Sequence, residues 1–223
     1  MKIKKLKLIV LTLFCIGLTN LQAQPVKDID SNVYKTVTIG TQVWMVENLK
    51  TTKYRNGDLI GTTTTATLDI SLETTPKYQW AYDGNESNVN TYGRLYTWYA
   101  VTDSRNVCPA GWHVPSYDEW TTLITYLGGE SVAGGKLKKT GTTHWESPNT
   151  GATNETGFAA LPSGYRTNDG TYLVIGYGGY WWSSTERSST YAFSRSMYYD
   201  YSDVSRSFFS KGLGFSVRCL RDL

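Results

Sequence analysis

The side chains able to do acid–base, nucleophilic or metal chemistry are few in this chain. It holds 2 histidines, His113 and His144, and 3 cysteines, Cys15, Cys108 and Cys219. A serine hydrolase needs a histidine that touches a nucleophile and is oriented by a carboxylate. His113 stands between Trp112 and Val114, and neither histidine has catalytic spacing around it, so both read as structural. No His/Cys cluster has the spacing of a zinc site. Asp118 and Glu119 follow Ser116, a pattern that a helix N-terminus explains without catalysis. Glu155 and Asp169 lie in loop sequence, with no partner carboxylate in view for glycosidase chemistry. Asp83-Gly84-Asn85-Glu86-Ser87 alternates oxygen ligands as calcium loops do, but lacks their following Gly and distant Glu. It reads as a solvated turn. No cofactor is expected, calcium being the one weighed.

Binding chemistry is better represented. The segment from Tyr191 to Phe209 carries Tyr191, Phe193, Arg195, Met197, Tyr198, Tyr199, Tyr201, Arg206, Phe208 and Phe209, with serines interspersed. Tyrosine supplies rigid amphipathic area, while serine and arginine supply adaptable hydrogen bonds. Asp200 and Asp203 mark the turn of a hairpin. Alternation puts Phe193, Arg195 and Met197 on one side and Ser194, Ser196 and Tyr198 on the other. At least half of the aromatics are expected in the core. Tyr198, Tyr199, Tyr201, Arg206 and Phe208 are expected to form an exposed recognition surface for a glycan or a protein.

The elements that must carry these residues are short. Val33 to Ile39 alternates as a strand ending at Gly40, and Gln42 to Leu49 is a second apolar segment. Residues 51–90, with the Thr62-Thr63-Thr64-Thr65 tract, read as a polar insertion holding a few strands. The second half of Arg94 to Val101 is assigned to a helix. Ser116-Tyr117-Asp118-Glu119 is a capping box, followed by Trp120, Leu123, Ile124 and Leu127 on one stripe; Gly128-Gly129 ends that helix near Leu127. Beyond Gly151, short runs separated by Gly and turn residues predict antiparallel strands. Trp112, Trp120, Phe158, Leu161 and Phe215 are expected in the core.

The chain has 223 residues, with 22 Lys+Arg against 19 Asp+Glu. Lys2, Lys4, Lys5 and Lys7, an apolar run from Leu8 to Leu18 and Leu21-Gln22-Ala23 read as a signal peptide over residues 1–23. Its removal takes four lysines and no acids, so the basic excess is no argument for nucleic acid or an anionic membrane. What remains, 24–223, is sized for a single domain, exported to the periplasm, the cell surface or the medium, with no second run of membrane length. Aromatic and β-branched residues are too plentiful for a disordered chain. Cys15 leaves with the signal, and the even pair Cys108 and Cys219 reads as one disulfide in an exported protein.

Several ordered segments carry a resemblance. They are Ile39-Gly40-Thr41-Gln42-Val43-Trp44-Met45, Tyr92-Gly93-Arg94-Leu95-Tyr96, Cys108-Pro109-Ala110-Gly111-Trp112-His113-Val114-Pro115, Gly157-Phe158-Ala159-Ala160-Leu161-Pro162-Ser163-Gly164-Tyr165-Arg166, Trp182-Ser183-Ser184-Thr185 and Gly214-Phe215-Ser216-Val217-Arg218-Cys219. Together they resemble the Fibrobacter succinogenes major paralogous domain of secreted bacterial proteins, from about Asp28 to Asp222. His113-Val114-Pro115-Ser116 with Glu119-Trp120, and the Gly214-Phe215 ending, are also similar to formylglycine-generating enzymes. Those enzymes and the variable proteins of diversity-generating retroelements have a C-type-lectin-like fold. The resemblance therefore implies an α+β, loop-rich, C-type-lectin-like domain with small twisted antiparallel sheets and two helices. Glu146-Ser147-Pro148-Asn149 is similar to the sugar-binding triplet of calcium-dependent lectins, but Ser147 interrupts it and the triplet's partner motif is absent. Fold does not transfer function. The expected function is a non-enzymatic ligand-binding or adhesion module; the alternatives are an oxidase-like or glycan-processing enzyme on the same fold, or a structural part of a surface assembly.

Overall fold

A computed structural model of the chain describes residues 25–222. The signal peptide expected at 1–23 lies outside the described residues. The chain opens with β1 (Val26–Lys27) paired antiparallel to β2 (Val33–Tyr34). The alternating segment becomes β3 (Thr36–Ile39), and Gly40, at φ 61°, lets a two-residue loop turn the chain into β4 (Gln42–Met45). The polar stretch is mostly loop. Within and after it β5 (Gln79–Trp80), the single-turn α1 (Val89–Tyr92) and β6 (Leu95–Tyr96) lead to the short α2 (Trp98–Val101). Next come β7 (Trp112–His113), α3 (Tyr117–Tyr126) and α4 (Glu130–Leu137). The last part holds β8 (Ser163–Arg166), β9 (Tyr172–Ile175), β10 (Gly178–Glu186), β11 (Tyr191–Tyr198), β12 (Ser205–Ser210) and β13 (Leu220–Arg221).

Two sheets organise these pieces. One has the order β3-β4-β13-β7, so the last strand sits between elements from the first half of the chain. The Cys108–Cys219 disulfide staples the same junction. Its ends are 111 residues apart, a closure worth roughly 4–5 kcal/mol on the chain-entropy account. The other sheet has the order β12-β11-β10-β8-β9. Its ladders are antiparallel except β8 with β10, which is parallel. That exception to the antiparallel expectation follows from the path: β9 reverses β8, β10 reverses again, and it lands on the far side of β8.

Helix α3 forms for the reasons its sequence shows. The Ser116 hydroxyl accepts the Glu119 N–H, and the Glu119 carboxylate accepts the Ser116 N–H at 2.7 Å. Trp120, Leu123, Ile124 and Leu127 are all buried. Gly128-Gly129 ends α3 as expected, but it also opens α4, a helix not expected from the sequence. Gly134 and Gly135 weaken the helical signal there. They are required by close approach: a Cβ on Gly134 would lie 2.1 Å from the Asp203 carbonyl oxygen, and one on Gly135 2.4 Å from that of Gly151.

The five-stranded sheet is covered on both faces. Adjacent strand residues point to opposite sides, and Trp181 and Trp182 of β10 accordingly enter two different clusters. Trp182 joins Tyr96, Trp112, Tyr180, Phe215 and Val217. Trp181 joins Trp44, Trp120, Phe158, Met197 and Leu220 against α3 and α4. Of the expected core residues, Trp112, Trp120, Phe158 and Phe215 are buried. Leu161 is only half-buried, because it lines a solvent-connected cavity instead of the sheet interior.

Buried cations tie the loops to this frame. Lys138 donates to the backbone carbonyls of Thr150, Tyr198 and Tyr201 at 2.9, 2.9 and 2.7 Å. Arg166 donates to the carbonyls of Ala66, Thr167 and Leu68 and stacks on Trp80, holding the threonine-rich loop. Arg55, an exposed residue, donates in the same way to the carbonyls of Cys108, Pro109 and Trp112.

Candidate functional site

The β11–β12 register pairs Phe193 with Phe208 and Arg195 with Arg206. These four therefore share the sheet face that α3 covers. Only the core end of that face lies under the helix. Beyond the helix start the face is open, and Tyr117, the first residue of α3, stands at its margin with its ring 4.9 Å from that of Phe193.

The open part is a shallow hollow of about 350 Å³ lined by Arg187, Phe193, Arg206, Ser207 and Phe208. The Arg187 guanidinium lies 5.8 Å from the Phe193 ring and 5.3 Å from the Phe208 ring. Arg206 donates to the Tyr117 hydroxyl at 2.6 Å, and this bond holds the phenol below its usual pKa. Tyr191 meets Phe208 edge-on at 5.9 Å. Arg195 lies on the same face beneath Tyr117, outside the lining: it is buried, paired with Glu130 at 2.9 Å, donates to Thr121 and faces the Tyr117 ring, and the Glu130 carboxylate also acts on Arg206 from a distance. No lining residue of the hollow is acidic. Phe208 and Tyr191 are 50% and 45% exposed, so ring faces and guanidinium groups meet solvent together.

The five expected recognition residues do not share one surface. Arg206 and Phe208 lie in the hollow. Tyr198, at an even position of β11, points to the opposite face, where its hydroxyl bonds that of Tyr180 at 2.7 Å. Tyr199 is half-buried with its ring edge-on to Tyr177. Tyr201 is exposed in the turn, its carbonyl held by Lys138. Tyr117 and Arg187 complete the hollow from other segments, and no spacing in the sequence connects them to it.

The other chemistry-bearing groups are engaged structurally. His113 sits between two carboxylates, Nδ1 at 2.6 Å from Asp222 and Nε2 at 2.9 Å from Glu119. Burial opposes protonation of this ring, but the two carboxylates outweigh it and raise its pKa. With both nitrogens held, the ring has none left to accept a proton from a nucleophile. His144 packs edge-on against Tyr92, and burial beside Lys139 lowers its pKa. The bridged cysteines offer no thiolate. In the calcium-like segment, Asn85 turns its oxygen onto Ser87 and Glu86 pairs with Arg94. Asn149 donates inward to the carbonyls of Lys139 and Gly141. Among the described residues no group of three or more His, Cys, Asp or Glu could hold a metal ion.

A family model described as the Fibrobacter succinogenes major domain matches residues 37–221, which include both sheets and the hollow. The chain belongs to this family. No curated protein and no solved structure matches the chain. The quoted motifs of this Fibrobacter succinogenes major domain build the frame. Arg94 clamps Glu86 and Gln79, Arg166 clamps the 66–68 loop, and Trp182 stacks on Phe215 at 4.3 Å. The hollow lies mostly outside those motifs, on residues the frame supports.

Proposed function

We propose that this domain is a non-enzymatic binding module of an exported protein, and that the arginine–aromatic hollow takes an anionic glycan. One observation carries the reading: Arg187 and Arg206 stand against Phe193, Phe208, Tyr117 and Tyr191 with no acidic side chain in the lining. Aromatic faces suit the C–H faces of sugar rings, and guanidinium forks suit carboxylate or sulfate groups. Their contacts with one another restrain the anchors before the ligand arrives. Export is supported by the signal-like residues 1–23 and by the disulfide. Among the described residues no helix is long and apolar enough to cross a membrane. Adhesion at the cell surface is the role that fits such a module.

The test is an array carrying neutral, uronate-bearing and sulfated glycans, probed with the chain and with the Arg206→Ala, Phe208→Ala double variant. Binding to acidic glycans that weakens with salt and is lost in the double variant supports the reading. Equal binding of neutral and acidic glycans, or acidic binding that the double variant retains, overturns it. Binding of protein ligands alone would also overturn it.

A further inference from the structure

On another part of the molecule, a cavity of about 250 Å³ has Arg218 in its wall. Arg218 is 1% exposed. Its Nε and Nη2 donate to the Asn48 side-chain oxygen at 3.2 and 2.9 Å, and Nη1 donates to the Phe158 carbonyl. The same Asn48 oxygen also accepts the Trp181 indole N–H at 2.9 Å. A guanidinium has five N–H groups, so two of them, one on each Nη, have no acceptor among the described residues. The Phe158 ring covers one face, 4.1 Å from the guanidinium carbon.

Among the described residues no carboxylate pairs directly with this charge. Glu47, in the same wall, spends a carboxylate oxygen on the Lys35 backbone N–H and acts on Arg218 only from a distance. Burial pushes the Arg218 pKa down to about 9. An unpaired buried charge is destabilising, and structures that keep one usually supply it with a partner. Lys35 and Lys139 line the cavity from exposed positions against the single carboxylate of Glu47, so with Arg218 the balance of charge around it is positive.

We propose that this cavity is a subsite for a small organic carboxylate, held by the free N–H groups of Arg218 and drawn in by Lys35 and Lys139. The volume sets the size class. Sites for drug-sized ligands hold roughly 300–1,000 Å³, so this one takes something nearer a single sugar acid. The walls set the chemistry. Val46, Ala159 and Leu161 give apolar contact, while Glu47 and Thr91 give acceptors for hydroxyl groups. An inorganic anion would use the cations but not these. The inference is independent of the hairpin hollow, whose residues it does not involve.

The test follows the arginine side-chain N–H signals of the nitrogen-15-labelled chain by NMR during titration with D-galacturonate, D-galactose and sulfate. Galacturonate is expected to shift the Arg218 signal saturably, galactose to leave it in place, and sulfate to bind more weakly. Lys35→Glu with Lys139→Glu, both exposed, is expected to weaken galacturonate by about tenfold or more. No saturable shift with galacturonate overturns the proposal, as does unaltered binding in the double lysine variant. Sulfate binding as tightly as galacturonate would overturn the carboxylate assignment.

Discussion

Replacing Trp120 by alanine probes the packing that positions the start of α3, and with it Tyr117 at the hollow. Trp120 is fully buried, its ring centroid 4.8 Å from that of Trp44 and 6.0 Å from that of Phe158. Truncating such a residue costs roughly 3–5 kcal/mol through lost transfer energy and the cavity left behind. One structural detail works the other way. The Trp120 indole N–H is buried without a hydrogen-bond partner, a defect of about 1–3 kcal/mol that alanine removes. The net loss should therefore fall below that range, at about 2–3 kcal/mol, or roughly 4–12 °C in Tm for a domain of this size. Trp120→Phe keeps a ring and also removes the unpaired N–H, so its loss should stay below about 1.5 kcal/mol. Urea unfolding followed by far-UV circular dichroism, with the disulfide intact, measures both; the midpoint should fall with the slope unchanged. A loss below about 1 kcal/mol for alanine, or equal losses for alanine and phenylalanine, would refute the reasoning.

Arg206→Ala and Phe208→Ala should each weaken the proposed glycan binding by about 1–2 kcal/mol or more while leaving Tm nearly unchanged, because both side chains reach solvent; calorimetric titration beside a thermal melt separates the two effects. The raised pKa of His113 means that its bonds to Glu119 and Asp222 stabilise fully below the ordinary histidine pKa near 6.5 and less as pH rises through the folded value. With about a third of His113 and Glu119 and about half of Asp222 open to water, the pH 5.5 to 8.5 difference between the chain and His113→Gln should be below about 1 kcal/mol, read from urea midpoints. Thiol titration of the unfolded, unreduced chain without residues 1–23 should find no free thiol, and reduction should lower stability by roughly 4–5 kcal/mol.

What the sequence made legible was what local rules decide. The capping box at Ser116 and the Trp120–Leu127 stripe specify α3 because both act within a few residues. The hairpin of β11 and β12 is legible from alternation and its aspartate turn, and so is the split of Phe193 from Tyr198. Helix α4 was hidden because Gly134 and Gly135 answer to the distant backbones of Asp203 and Gly151, not to helix propensity. The recognition surface was legible in part. Its tyrosine- and arginine-rich composition is local, but whether a tyrosine faces solvent depends on what covers each side of the sheet. Tyr198 and Tyr199 thus went to packing, while Tyr117 and Arg187 arrive from segments that only the tertiary fold brings together.

The buried cations that hold the loops recognise carbonyl oxygens, and every residue type has one. Lys138 grips the start and the middle of the 199–204 turn through the backbone of Tyr198 and Tyr201, and Arg166 grips the 66–68 loop in the same manner. Neither grip reads the identity of the side chains it holds. Tyr201 can change type while the main chain beneath stays fastened, so long as the backbone conformation is kept; Asp200 is less free, because its charge helps to keep the buried Lys138 ammonium protonated. The loops are mounted as interchangeable fittings on a fixed socket, which leaves their outward chemistry free to diverge from one copy of the domain to another without the frame having to be rebuilt.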